Sequence, residues 1–134
     1  MIAQYVYGLP PCEMCWWQRY PHIAALVLAA LAWMTRRDAL VALAAIAILV
    51  SGAIGAFHAG VEYNWWDGVT ACTSTAVAGG DPLASIMAAP IVRCDVAPWE
   101  LGGISLAGFN FLISTAAGLA ILFLIRRRAR KTAR

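Results

Sequence analysis

Charge is what this chain has least of. Only 13% of its 134 residues are Asp, Glu, Lys or Arg, and 62% are hydrophobic. A soluble domain has about 25% charged residues and roughly 45–50% apolar ones. A soluble chain this short cannot hide so much apolar surface, which makes this one domain, residues 1–134, of an integral membrane protein. There is no Gly-rich phosphate loop, no internal repeat and no low-complexity segment. No βαβ pattern surrounds the cysteines, so a thioredoxin fold is excluded. The opening "MIAQYVYGLPP" lacks a basic n-region, and Pro10-Pro11 interrupts its short apolar run, so it is not a signal peptide. It also falls short of the ~20 apolar residues of a spanning helix.

Three segments do reach that length: 16–35, 39–60 and 104–125. They predict an all-α transmembrane helical bundle, with an outer loop over 61–103. Trp16, Trp17 and Tyr20 at the start of the first span read as an interfacial aromatic belt. Eight of the ten basic residues fall in two clusters, Arg36–Arg37 and the run from Arg126 to Arg134. Because the spans alternate in direction, both clusters lie on one side of the bilayer. Lys and Arg accumulate on the cytoplasmic side. The basic residues therefore read as a topology signal, and no nucleic-acid partner is expected. Cys12, Cys15, Cys72 and Cys94 then lie at or beyond the opposite face. A bacterial periplasm is an oxidising compartment in which disulfides persist.

The chemistry concentrates in "PPCEMCWWQRYPH". Pro10-Pro11 stops any upstream helix, and Pro is well tolerated at a first helical position. Cys12 and Cys15 are expected in the first turn of span one, where free N–H groups and the helix dipole favour a thiolate. Arg19 follows Cys15 by four residues on the same helical face. A permanent cation there lowers a thiol pKa and can hold an anionic ligand. Redox chemistry is the favoured reading. Three bland ones stand beside it: a zinc half-site completed by Cys72 and Cys94 or by His22, a static disulfide, and an Arg19 that merely snorkels to the interface.

Cys72 and Cys94 bracket a Gly-, Ala- and Thr-rich stretch containing "PLASIMAAPIV", too short to span and suited to lying on the membrane surface. They suit either a structural disulfide or a mobile redox pair. His58, near the outer end of span two, is an ionisable residue within a span and so a functional candidate, with Glu62 four residues on as its simplest partner. His22 reads as interfacial.

With "PCEMCWWQR" at 11–19, "HAGVE" at 58–62, the pair Cys72 and Cys94, and "CDVAPWELGGISLAGFN" at 94–110, the chain resembles the DsbB family of bacterial inner-membrane disulfide-forming quinone reductases. The resemblance covers nearly the whole chain. It implies that Cys72 and Cys94 form the disulfide that reoxidises DsbA, a soluble periplasmic thiol oxidase, with Cys72 the sulfur attacked. It implies that electrons pass on to Cys12 and Cys15, with Cys15 the thiolate beside a bound quinone (ubiquinone or menaquinone), drawn from the membrane pool. Arg19 and His58 are then quinone-site residues, and no metal is implied. The family has four spanning helices, and its C-x-x-C follows the first. Here only eleven residues precede Cys12. A first helix missing or reduced to "MIAQYVYGL" is expected, most simply through a start assigned too late. Two rivals carry different signatures. A quinone reductase of the vitamin K epoxide reductase type places its loop Cys pair before the C-x-x-C. A non-enzymatic membrane protein with structural disulfides shows no thiol reactivity towards a partner.

Overall fold

A computed structural model describes residues 2–69, 73–74 and 91–132 of the chain. Cys72 and most of "PLASIMAAPIV", including the surface position expected for it, lie outside the described residues. The architecture is helical. A short α1 (Ile2–Tyr5) precedes α2 (Glu13–Thr35), α3 (Asp38–Glu62) and α4 (Leu106–Thr132). The long helices overlap the three expected spans, each starting or ending a few residues further out. Among the described residues between α3 and α4 are four two-residue strands, which are not predicted from the sequence. β1 (Thr73–Ser74) pairs antiparallel with β2 (Ile91–Val92), and β3 (Glu100–Leu101) with β4 (Ile104–Ser105).

Two of the helices, α3 and α4, are long and apolar enough to cross a membrane. At 25 and 27 residues they reach about 37 and 40 Å at the rise of an α-helix. α2 is comparable at 23 residues, but Glu13, Gln18, Arg19 and His22 make its first turns polar.

The bundle has the polarity of a membrane protein. Leu26, Val27, Trp33, Ile113, Leu119 and Leu124 face outward, whereas Ala44, Ala45, Ser51, His58 and Ser114 are buried. In lipid, apolar surface gains nothing by hiding, so packing and internal hydrogen bonds hold the helices together. α3 is the central helix and packs broadly on both α2 and α4. Close approach to α4 requires glycine. A Cβ added at Gly55 would stand 3.0 Å from the Ala107 carbonyl oxygen, and one at Gly52 2.9 Å from Thr115 Oγ1.

Helix ends follow local chemistry. α2 ends at Arg36, whose φ of 55° is left-handed and whose N–H bonds the Ala32 carbonyl. Arg37 leads at once into α3. Ser105 precedes α4, and its Oγ accepts the Gly108 N–H at 3.1 Å, as an N-cap does. Tyr63 fastens the β3–β4 hairpin to the end of α3: its hydroxyl donates to the Gly103 carbonyl and accepts the Ser105 N–H, both at 2.9 Å. The two basic clusters do share one end of the bundle, where Arg128 lies 3.6 Å from Asp38.

Placing a branched side chain at Gly55 should force α3 and α4 apart. Gly55→Val is expected to lower stability by about 1–3 kcal/mol, the usual cost of overpacking. Unfolding in mixed detergent micelles measures it, and an unshifted midpoint would mean that the helices do not meet at Gly55.

Candidate functional site

The site lies at the end of the bundle opposite the basic clusters. Cys12 is the N-cap of α2 and not a residue of its first turn as expected; its Sγ accepts the Cys15 N–H at 3.2 Å. A sulfur in the cap position meets one of the orphan donors of the helix start. Three residues on, Cys15 falls one turn away, and the two Sγ atoms are 2.8 Å apart, with Cys12 donating. That hydrogen bond divides the pair. Both cysteines precede the expected spanning segment. The Cys15 thiol is lowered to about 7, chiefly because Cys12 donates to it, with Arg19 adding a favourable charge and burial opposing. The same hydrogen bond, together with burial, pushes the Cys12 thiol up. The thiolate therefore belongs to Cys15.

Cys94 is brought to the same place. It is buried and forms one cluster with Cys12, Met14 and Val61, and Cys15 packs against that cluster. Arg93 and Asp95 on either side of it form an exposed ion pair. Of the four cysteines named from the sequence, three meet; Cys72 lies outside the described residues.

His58 joins them from α3. Its Nε2 is 3.6 Å from Cys12 Sγ and 3.7 Å from Glu62 Oε1, the partner its spacing suggested. The main chain of Cys94 also hydrogen-bonds the ring. Glu62 accepts from Ser105, while its Oε2 has no hydrogen-bond partner among the described residues. Cys12, Cys15 and His58 present possible metal-ligand atoms within 4.8 Å of one another. His22 takes no part in that group.

Beneath this lies a polar network that single-sequence reading missed. Gln18 Nε2 lies 2.7 Å from His58 Nδ1, and Asn110 Nδ2 donates to Gln18 Oε1 at 2.7 Å. Asn110 also bonds the Ser51 carbonyl and accepts from Ser114 Oγ. His22 is corrected from interfacial to inward-facing: its Nδ1 is 2.8 Å from Ser51 Oγ and 2.9 Å from the Gln18 carbonyl, and Ser114 lies on its other side. The available signal was polar residues inside apolar helices, which are costly in a membrane unless partnered.

A cavity of about 520 Å³ opens beside this network, lined by Cys15, Arg19, His22, His58, Asn110 and Leu106 among others. Arg19 is held on its rim by Gln4 Oε1 at 2.7 Å and by the Trp16 ring, 4.8 Å from its guanidinium carbon. Specific contacts therefore hold it at the rim. A second cavity of about 570 Å³ shares His22 and continues along Ala25, Ala29, Ala32 and Ile48 towards the basic end.

The sequence profile described as "Disulfide bond formation protein DsbB" matches residues 1–124. The chain belongs to the DsbB family. Among curated relatives, the disulfide bond formation protein B of Polaromonas sp. (strain JS666 / ATCC BAA-500) is 31% identical, over 98% of this chain and 83% of the relative. Those of Polaromonas naphthalenivorans (strain CJ2) and Verminephrobacter eiseniae (strain EF01-2) are each 30% identical, over 98% and 97% of this chain and 83% and 78% of their own lengths. No solved structure matches the chain significantly. Family membership agrees with the helical membrane bundle and supports a role in disulfide bond formation.

The unequal pair sets a pH dependence. Because the Cys15 thiol lies below its ordinary value of 9.0 at about 7, its thiolate is present above pH 7 and lost as pH falls through that value. Alkylation of Cys15 in the reduced chain, followed by peptide mass spectrometry, is expected to show a midpoint near 7. Cys12→Ala removes the donor and should move the midpoint upward. An unmoved midpoint would exclude the hydrogen bond as the cause.

Proposed function

We propose that the chain is a thiol:quinone oxidoreductase of the bacterial inner membrane, with its cysteines on the periplasmic side, that reoxidises a DsbA-type dithiol protein and passes the electrons to a quinone. The observation that carries this is the packing of Cys94 and Cys15 against Cys12, with Cys15 opening onto the cavity. A disulfide involving Cys94 and an acceptor bound in the cavity are thereby linked by one thiol pair.

The electron count is simple. The partner's dithiol gives two electrons and two protons to the Cys72–Cys94 disulfide, becoming a disulfide itself. Cys72 and Cys94 in turn reduce Cys12–Cys15 by thiol–disulfide exchange, in which a thiolate attacks a disulfide sulfur. When Cys12 and Cys15 close again, the same two electrons leave on the cavity side. The cavity fits a quinone: its walls are largely apolar, and Arg19 at its rim offers hydrogen-bond donors for a carbonyl oxygen of a flat ring, while His58 and Asn110 line the space with their own donors already engaged. A bound quinone supplies a two-electron acceptor connected to the membrane pool, whether ubiquinone or menaquinone. Cys15 holds its thiolate towards that space, and Arg19 places a permanent positive charge at the rim, where negative charge develops. His58 borders both the cavity and Cys12.

The alternative of a zinc site would use Cys12, Cys15 and His58, whose ligand atoms lie within 4.8 Å of one another; it predicts stoichiometric metal and thiols protected from exchange. The basic clusters at the opposite end support the proposed orientation, since Lys and Arg favour the cytoplasmic face.

The test is quinone reduction by purified protein supplied with a reduced DsbA-type partner. Cys15→Ser is expected to abolish turnover, and Arg19→Ala to slow quinone use about tenfold or more, the effect of losing one interaction with a charged group. Cys94→Ser should block partner oxidation yet leave Cys12 and Cys15 oxidisable by quinone. Normal partner oxidation by Cys94→Ser would rule out the relay, and unaltered quinone kinetics in Arg19→Ala would remove Arg19 from the site.

A further inference from the structure

Three helices contribute one chain of hydrogen bonds whose direction can be worked out from its fixed ends. A main-chain carbonyl can only accept. Asn110 faces the Ser51 carbonyl at 3.1 Å, so the atom it presents is its amide nitrogen. That nitrogen also lies 2.7 Å from the Gln18 side chain, which must therefore answer with its oxygen. The far side of the Gln18 amide is then its nitrogen. The Met14 carbonyl, 3.3 Å away, requires the same orientation independently. Turning Gln18 over would set two oxygens together at Met14 and two amide nitrogens together at Asn110. The Gln18 nitrogen, as a donor, lies 2.7 Å from His58 Nδ1. Nδ1 is thus an acceptor, and a neutral imidazole carries its one proton on the other nitrogen.

We infer that Asn110 and Gln18 are positioning residues that hold His58 as the Nε2–H tautomer, with that N–H aimed at the Cys12 sulfur. His58 is then a donor to Cys12 and not the base that deprotonates it. The inference rests on the redox reading of the cysteines given above, and it assigns His58 a direction within that reading.

The geometry around Cys12 agrees. Its thiol hydrogen goes to Cys15 Sγ, while the Cys15 N–H and His58 Nε2 face the same sulfur at 3.2 and 3.6 Å. The Cys94 main-chain carbonyl accepts from the same ring and so shares the Nε2–H with the Cys12 sulfur, while Glu62 Oε1, 3.7 Å from Nε2, stands just beyond hydrogen-bond reach. Consider exchange at a disulfide between Cys12 and Cys94. An incoming thiolate bonds to the Cys94 sulfur, the Cys12–Cys94 bond breaks, and its electron pair stays on Cys12. Charge moves from the attacking sulfur to Cys12, and no other oxidant or reductant is needed. The two N–H groups stabilise that leaving thiolate.

The experiment is ¹⁵N NMR of the histidine rings in the whole detergent-solubilised chain, assigned by loss of signals in His58→Gln. His58 Nε2 is expected to show a bonded proton and Nδ1 the shift of a bare acceptor nitrogen. A proton on Nδ1 would overturn the inference. Gln18→Glu presents an acceptor to Nδ1 and is expected to move the proton onto it; an unchanged ring would remove Gln18 from the role. A kinetic comparison stands apart from the folding of that variant. The amide nitrogen of Gln lies near the place of Nε2 and that of Asn near Nδ1. His58→Gln should therefore retain release of Cys12 from a Cys12–Cys94 disulfide about tenfold better than His58→Asn. Equal rates, or a faster Asn variant, would overturn the inference. Neither readout uses quinone or a partner protein, so failure here is distinct from failure of the quinone reading.

Discussion

The Gln18 side chain is the tie on which the outer half of the bundle depends. It rises from α2, meets His58 of α3 on one side and Asn110 of α4 on the other, and so is shared by all three long helices. In a bilayer interior an unpartnered amide costs several kcal/mol. The helices therefore have one relative arrangement in which Gln18, Asn110 and His58 are satisfied together. Small residues let them come close enough, and the polar contacts select the register. The same arrangement sets His58 over Cys12 and opens the cavity beside Cys15. Cohesion and chemistry are served by the same few side chains.

Much of this was readable in advance because it follows from local rules. Length and apolarity mark α2 and α3 to within three residues at each end, whereas α4 runs seven residues past its expected span. The prolines and the C-x-x-C spacing placed Cys12 and Cys15 at a helix start. Arg19 and His58 were drawn to the site by helical spacing and by the cost of burying an ionisable group. The i,i+4 step from His58 to Glu62 foresaw their contact. What escaped was the part that depends on register between helices. Gln18, Ser51, Asn110 and Ser114 are each an isolated polar residue in an apolar run, and nothing local says that they converge. The nearness of His22 to the helix start points to the interface, yet Ser51 and Ser114 draw its ring inward. Cys12 was placed inside the first turn, whereas its sulfur takes over the cap. The two-residue strands carry too few residues for any period to show.

The cysteines show how an apolar fold manages reactive sulfur. A dithiol in hydrocarbon would be inert, because a thiolate needs donors and compensating charge. Here the start of α2 supplies an N–H to Cys12, Cys12 supplies a hydrogen to Cys15, and Arg19 stands one turn further on. Activation is thus local to one helix, while the contacts that bring Cys94 and His58 to it come from elsewhere in the chain.

The tight connection at Arg36 has a mechanical side. With Arg36 left-handed and α3 starting two residues later, α2 cannot slide along its neighbour without undoing the turn. A tilt about its Arg36 end is opposed further along by the Gln18 hydrogen bonds to His58 and Asn110. Twenty-three residues make a lever of about 35 Å, so a tilt of about 3° carries the Cys12 end through nearly 2 Å while hardly disturbing the packing near Arg36. The sulfurs occupy the tip of that lever, where small rotations give the largest travel.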